Sequence, residues 1–246
     1  ALFGEISHGA RRWLNIGVGR IQPSELMKIA VPMMVAWYFA KREASLRWSD
    51  YLVGALLVLV PVGLVMKQPD LGTALLILAS GFYVLFLAGL SWKILVGGAV
   101  SAAVMAPIFW SLLHDYQRKR IEILLDPSQD PLGAGYHTIQ ASIALGSGGF
   151  AGKGWLNGTQ SQLDFLPERT TDFIFAVFGE EFGLLGNVLL IVMFGLLISR
   201  GLVIASQAGN TFTRLLAGSI TFTFFTYVFV NIGMVSGILP VVGVPL

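Results

Sequence analysis

Of the 246 residues, 55% are hydrophobic and only 12% charged, and the mean hydropathy is +0.74, whereas a soluble domain carries about 25% charged residues. This excludes an ordinary water-soluble fold and indicates a membrane protein. The formal net charge of +2 is too small to argue for a nucleic-acid partner, and without cysteine there is no disulfide, thiol nucleophile or zinc-thiolate site to consider.

Several apolar runs approach the roughly 20 residues needed to cross about 30 Å of hydrocarbon as helix. Residues 1–22 are Gly-rich and mixed in polarity, with Arg11, Arg12 and Trp13 suited to an interface, and read as an extramembrane entry segment. Pro23 and Ser24 offer a helix start, and the first span runs to about Ala40, with Lys41, Arg42, Glu43 and Arg47 as its polar exit. The next spans are predicted at 51–66, 71–90 and 93–113, joined by the short links Lys67-Gln68-Pro69-Asp70 and Ser91-Trp92-Lys93, as in antiparallel helices. From His114 to about Phe182 the chain is polar and broken by Pro127, Pro131 and Pro167, which predicts a long extramembrane loop. Spans at 184–199 and 214–235 bring the count to six, and Pro240 and Pro245 break the remaining stretch. The expected fold is all-α, a polytopic membrane helix bundle forming a single membrane domain over 1–246. Ala1 is not an initiator Met and Leu246 falls in an apolar segment, so the chain is expected to be a fragment. Counting basic residues on the two sides comes close to a tie, so charge leaves the orientation open.

Polarity concentrates in Leu163–Gly183, which packs Asp164, Glu168, Arg169, Asp172, Glu180 and Glu181 between long apolar runs. Asp172 precedes the run Phe173–Phe178; its carboxylate is either a helix cap or a general base at the membrane face, and the two roles can coexist. Glu25 and Lys28, three apart on one helical face, read either as a local ion pair or as cavity-facing groups, since ionisable residues at helix depth are functional candidates. Lys67 and Asp70 repeat the arrangement on the same side. Arg118, Lys119 and Arg120 form a solvated basic cluster or, with Lys153 and Arg169, a phosphate-binding set. The glycine-rich stretch Gly146–Gly154 fails as a P-loop, because Ser147 stands where the first glycine should be and Gly154 where the hydroxyl should be; a hinge or tight turn is the expectation, with an anion nest as the alternative. His8, His114 and His137 lack the spacing of zinc ligands.

Six ordered segments carry a resemblance: Gln22-Pro23-Ser24-Glu25-Leu26-Met27-Lys28, Lys67–Thr73, Asp130–Tyr136, Gly146–Trp155, Phe165–Phe173 with Glu168-Arg169-Thr170-Thr171-Asp172, and Asn231–Pro245. Together they resemble the SEDS family, the bacterial shape, elongation, division and sporulation proteins. His114–Arg118 and Thr159-Gln160-Ser161-Gln162 are most similar to its elongation branch, RodA, rather than its division branch, FtsW. The resemblance implies a ten-helix bundle in the bacterial inner membrane, here lacking about three helices, with the long loop at 114–182 on the periplasmic side. It also implies a peptidoglycan glycosyltransferase that polymerises lipid II on a polyprenyl-pyrophosphate-linked glycan. The implied partners are a class B penicillin-binding protein and other membrane proteins of the elongation complex. Asp172 matches the family's essential aspartate, Glu25 and Lys28 its helix-mouth pair and Asp70 another polar position, whereas Asn15 stands where an Asp is expected.

In that chemistry Asp172 would take the proton of an acceptor sugar hydroxyl, with Glu25 orienting Lys28. Lys28, Arg118, Arg120, Lys153 and Arg169, or a divalent cation such as Mg2+ or Mn2+, would compensate the departing pyrophosphate. Two other classes fit the same charges: a lipid II flippase, because intramembrane charge pairs also mark transport pathways, and a noncatalytic membrane scaffold.

Overall fold

The computed structural model describes residues 5–7, 10–15, 20–68, 70–113, 118, 122–123, 134–163, 165–166 and 169–241. The chain forms two compact units, one of Ala1–Ile94 and Ile198–Phe225, the other of Leu95–Leu197 and Thr226–Leu246.

In the first unit the entry segment is a small antiparallel sheet of β1 (Glu5–Ser7), β2 (Ala10–Asn15) and β3 (Arg20–Ile21), in that order. It is an addition to the helical fold that the polar composition of 1–22 did not reveal. Three helices follow: α1 (Pro23–Lys41), α2 (Trp48–Met66) and α3 (Leu71–Leu87). Val31, Val35 and Phe39 of α1 meet Val58 and Val62 of α2 and Ile77 and Val84 of α3 in one buried cluster, to which Leu215 also belongs. The i, i+4 spacing of the first three residues puts them on one face. Gly81 lets α2 and α3 approach closely, since a Cβ there would lie 2.4 Å from Cγ2 of Val58. Buried Ser219 donates its hydroxyl to the carbonyl of Ser80 at 2.7 Å. The α1–α2 connection is tied by buried Asp50, which accepts from Arg42 Nη1 at 2.6 Å, Tyr38 Oη at 2.9 Å and the Arg47 amide at 2.7 Å.

The second unit contains most of α4 (Trp92–Leu112), then α5 (Ala134–Ser147), the one-turn α6 (Thr159–Gln162), the larger part of α7 (Ile174–Ser206) and the end of α8 (Thr211–Val235). Its core gathers Ala141 and Ala144 of α5, Leu166, and Phe173, Phe175, Ala176 and Val235. The predicted loop over 114–182 is thus largely helical where it is described: α5, α6 and the first turns of α7 all fall inside it. Composition explains the difference: Tyr136, His137, Thr138, Gln140 and Ser142 keep the stretch polar on average, while Ala141 and Ala144 still bury a helix face.

Each of the six predicted spans corresponds to a helix, with the fifth lengthened from 184–199 to Ile174–Ser206. Trp48–Met66, Ile174–Ser206 and Thr211–Val235 are long and apolar enough to cross a membrane, and Leu71–Leu87 and Trp92–Ile108 are shorter apolar helices. Lipid-facing positions such as Leu189, Leu196 and Leu197 are exposed, as expected of helices whose solvent is hydrocarbon.

Candidate functional site

α7 is not continuous. Gly183 has φ 64° and ψ −160°, so the helical hydrogen-bond ladder breaks at that point. In a membrane segment the freed peptide groups need other partners, and the glycine-rich stretch supplies them. The amides of Lys153 and Gly154 donate to the carbonyls of Glu180 and Glu181 at 3.0 and 2.9 Å. On the other side of the break, the amides of Leu184 and Leu185 donate to the carbonyls of Gly149 and Phe150 at 2.9 and 3.1 Å. The stretch read as a hinge or tight turn, or else an anion nest, does turn at 148–151 and forms a strap laid along a broken helix. Contact this close requires glycine, since a Cβ on Gly152 (φ 80°) would lie 2.1 Å from the Glu181 carbonyl oxygen.

Beside the break sits Glu180, fully buried. Its Oε1 accepts from Lys153 Nζ at 2.7 Å, the Gln160 amide at 3.0 Å and Thr159 Oγ1 at 3.1 Å, and more distantly from Ser147 Oγ at 3.4 Å. Oε2 faces the Ser161 amide at 3.4 Å. A charge buried without such partners would be prohibitively unfavourable; here one lysine and a set of amide and hydroxyl donors satisfy it. Glu180 thereby caps the otherwise unsatisfied first turn of α6. Sequence reasoning counted Glu180 among the charges of its stretch without giving it a role. Its signal was a carboxylate inside the apolar run Phe173–Phe182.

α6 connects in turn to the stretch carrying Asp172. The Arg169 guanidinium donates through Nη1 to the Ser161 carbonyl. Arg169 and Asp172 lie three residues apart in the turn that leads into α7 at Ile174. The Asp172 carbonyl is held by buried Asn231, whose Nδ2 donates to it at 2.9 Å. Phe173, next in sequence, is buried in the core and lies against the His137 ring, with centroids 6.2 Å apart. Asp172 itself is half-buried. A carboxylate in that setting, carried on a turn whose flanks are fixed, is suited to accepting a proton from a bound hydroxyl.

The remaining predicted residues divide between the two units. Glu25 and Lys28 form the anticipated ion pair, Oε2 to Nζ 2.6 Å, with the Lys28 side chain 10% exposed. Asp70 caps α3, its Oδ1 accepting from the Thr73 amide at 3.2 Å and its Oδ2 from Gln22 Nε2 at 3.1 Å. These three belong to the first unit, and Lys153, Arg169 and Asp172 to the second. Arg118 donates to the carbonyls of Trp110 and Ser111 at 3.0 and 2.7 Å, covering the C-terminal end of α4. Lys153 is engaged by Glu180. Arg120 lies outside the described residues, as do Asp164 and Glu168. Among the described residues no group of three His, Asp or Glu side chains is placed to hold a metal ion.

The family model of the FtsW, RodA and SpoVE cell cycle proteins matches residues 1–246. The chain is 57% identical over 245 residues to the peptidoglycan glycosyltransferase MrdB of Escherichia coli K12, covering 99% of this chain and 66% of that protein. It is 39% identical over 249 residues to the MrdB of Helicobacter pylori J99, covering 99% of this chain and 64% of that one. It thus spans about two thirds of the length of these relatives. Among solved structures it is similar to a chain of a peptidoglycan synthase complex described for its coordination of polymerization and crosslinking, with TM-score 0.81 and 37% identity over 99% of this chain and 68% of that one. A point mutant of the Thermus thermophilus rod shape determining protein RodA gives TM-score 0.65 and 29% identity over 98% of this chain and 63% of that one.

Proposed function

Because the chain belongs to the FtsW, RodA and SpoVE family of cell cycle proteins, we propose that it carries the catalytic part of a peptidoglycan glycosyltransferase that polymerises lipid II into glycan strands during cell elongation. The observation that carries this reading is the 57% identity to the Escherichia coli glycosyltransferase, which extends over 99% of the chain. The protein works in the bacterial inner membrane, with the 114–182 region on the periplasmic side. Its partner is a class B penicillin-binding protein that supplies the crosslinking step, a reading supported by the likeness to a synthase complex at 37% identity.

Asp172 acts as the general base. It removes the proton of an acceptor sugar hydroxyl as that oxygen forms the new glycosidic bond, while the bond to the lipid pyrophosphate breaks and the electron pair leaves on the phosphate oxygen. Asn231 fixes the backbone of Asp172 from outside the reacting pair. In the second unit Arg169, three residues before Asp172, is the cation assigned to substrate phosphate; in the first unit Lys28 is a separate candidate for that charge, oriented by Glu25 through their ion pair. Arg118 and Lys153 hold the fold through the partners described above, so their contribution to phosphate is indirect. A divalent cation would be a further source of positive charge for the departing pyrophosphate, although among the described residues no group of three His, Asp or Glu side chains is placed to hold one.

The test is Asp172→Asn in the full-length protein, purified with its transpeptidase partner and assayed on gels for glycan polymer. Loss of a general base costs about 10² to 10⁴ in rate, so polymer should fall below detection while expression and membrane insertion stay at wild-type levels. Near wild-type polymerisation would remove Asp172 from this role. Movement of labelled lipid II across vesicles without polymer would identify a flippase instead.

A further inference from the structure

The broken helix and its strap do more than satisfy peptide groups. Glu180 is buried within the first two turns of α7, a few residues after the proposed base, and its carboxylate gathers Lys153, Thr159, Gln160 and Ser161 from a segment 19 to 27 residues earlier in the chain. Ser161 then receives Arg169 on its carbonyl. A chain of hydrogen bonds thus runs from Glu180 through the first turn of α6 to the guanidinium three residues before Asp172. A buried carboxylate whose only task was to join two segments could be replaced by an apolar contact at little cost or with a gain. What apolar packing cannot reproduce is orientation, because several donors converging on two oxygens fix α6 in direction as well as in place.

We propose that Glu180 is a positioning residue for glycosyl transfer: by clamping α6 it sets the Ser161 carbonyl that aims Arg169, and so orders the turn bearing Asp172. This rests on the reading of Asp172 as the base and adds a specific way in which that turn is held. Gly158 belongs to the same device, since a Cβ there would lie 2.8 Å from Oε2 of Glu180 and 2.5 Å from Oγ of Ser161. A side chain at 158 must displace the Ser161 hydroxyl and crowds the Glu180 carboxylate where it meets the α6 amides.

The experiment compares Glu180→Gln, Gly158→Ala, Arg169→Ala and the double variant Glu180→Gln/Arg169→Ala with wild type and Asp172→Asn, all as full-length protein with its partner. Initial polymerisation rates are measured at limiting and saturating lipid II, and the folded fraction by size exclusion and thermal melting. Misplacement of a transition-state group lowers kcat and leaves KM nearly unchanged, so Glu180→Gln should lose about tenfold or more in kcat with KM within about twofold. Gly158→Ala should show the same split, which keeps the test alive should Glu180→Gln fail to accumulate. If both residues act through Arg169, the double variant loses little beyond the worse single variant. The proposal is overturned by a kcat loss that merely tracks the folded fraction, by a rise in KM at constant kcat, or by full additivity with Arg169→Ala. An inactive Asp172→Asn beside a fully active Glu180→Gln would sink the positioning role alone, whereas an active Asp172→Asn would sink the reading beneath it as well.

Discussion

Replacing Gly183 by alanine tests the strap directly. At φ 64° and ψ −160° the residue occupies backbone space that is essentially reserved for glycine, and a side chain there costs on the order of 1–3 kcal/mol. Strain is only part of the effect. The new Cβ would lie 2.3 Å from the Gly152 nitrogen and 2.8 Å from the Phe150 carbonyl oxygen, and backbone atoms cannot rotate out of the way. The strap must lift, and with it go the hydrogen bonds made by the amides of Lys153, Gly154, Leu184 and Leu185. At about 0.5–1.5 kcal/mol net for each, these together amount to about 2–6 kcal/mol. Hydrogen exchange followed by mass spectrometry in micelles reads this as a fall of about thirtyfold or more in protection of peptides covering 149–154 and 180–186. Gly146→Ala is the control: that glycine lies near the end of a helix with an ordinary φ, and an added methyl would meet nothing within 4 Å, so alanine there should be neutral or stabilise by about 0.5–1 kcal/mol. Unchanged protection at 149–154 in Gly183→Ala would refute the account of the break.

Two further outcomes are expected. Gly81→Ala forces a methyl against Val58, 2.4 Å away across the α2–α3 contact, and should destabilise the first unit by about 1–3 kcal/mol, read as a lower melting temperature in detergent. Lys28→Ala should reduce polymerisation by about tenfold to a hundredfold, as expected for one charge-assisted contact to substrate, with the melting temperature little changed; a loss of thermal stability that accounts for the whole defect would make the Glu25–Lys28 pair purely structural.

What the sequence disclosed and what it hid depend on the range of the interactions involved. Helix-forming apolar runs are local, so α1 to α4 and α8 were read to within a few residues. The Glu25–Lys28 pair was legible for the same reason, its partners being one helical turn apart. Lys153 reads from the sequence as a candidate phosphate ligand; its pairing with Glu180 is not legible there, because that carboxylate is 27 residues away, a distance no periodicity reports. Gly183 closes the polar stretch Leu163–Gly183 in the sequence; only the strap that accepts and donates across it gives the break away. α5 escaped because its buried face includes Ala141 and Ala144 among polar neighbours, and Asn231, which opens one of the six segments of the resemblance, gives no sign in the sequence that it grips the Asp172 backbone.

The strap also constrains biogenesis. Residues 149–154 leave the ribosome about 30 residues before the peptide groups of α7 they will bind, so for that interval the amides of Lys153 and Gly154 and the carbonyls of Gly149 and Phe150 lack the partners they have in the finished fold. Hydrocarbon does not tolerate such groups. The segment must therefore wait in water while α7 enters the bilayer and close onto it afterwards, which makes docking of this loop a late event in assembly rather than part of helix insertion.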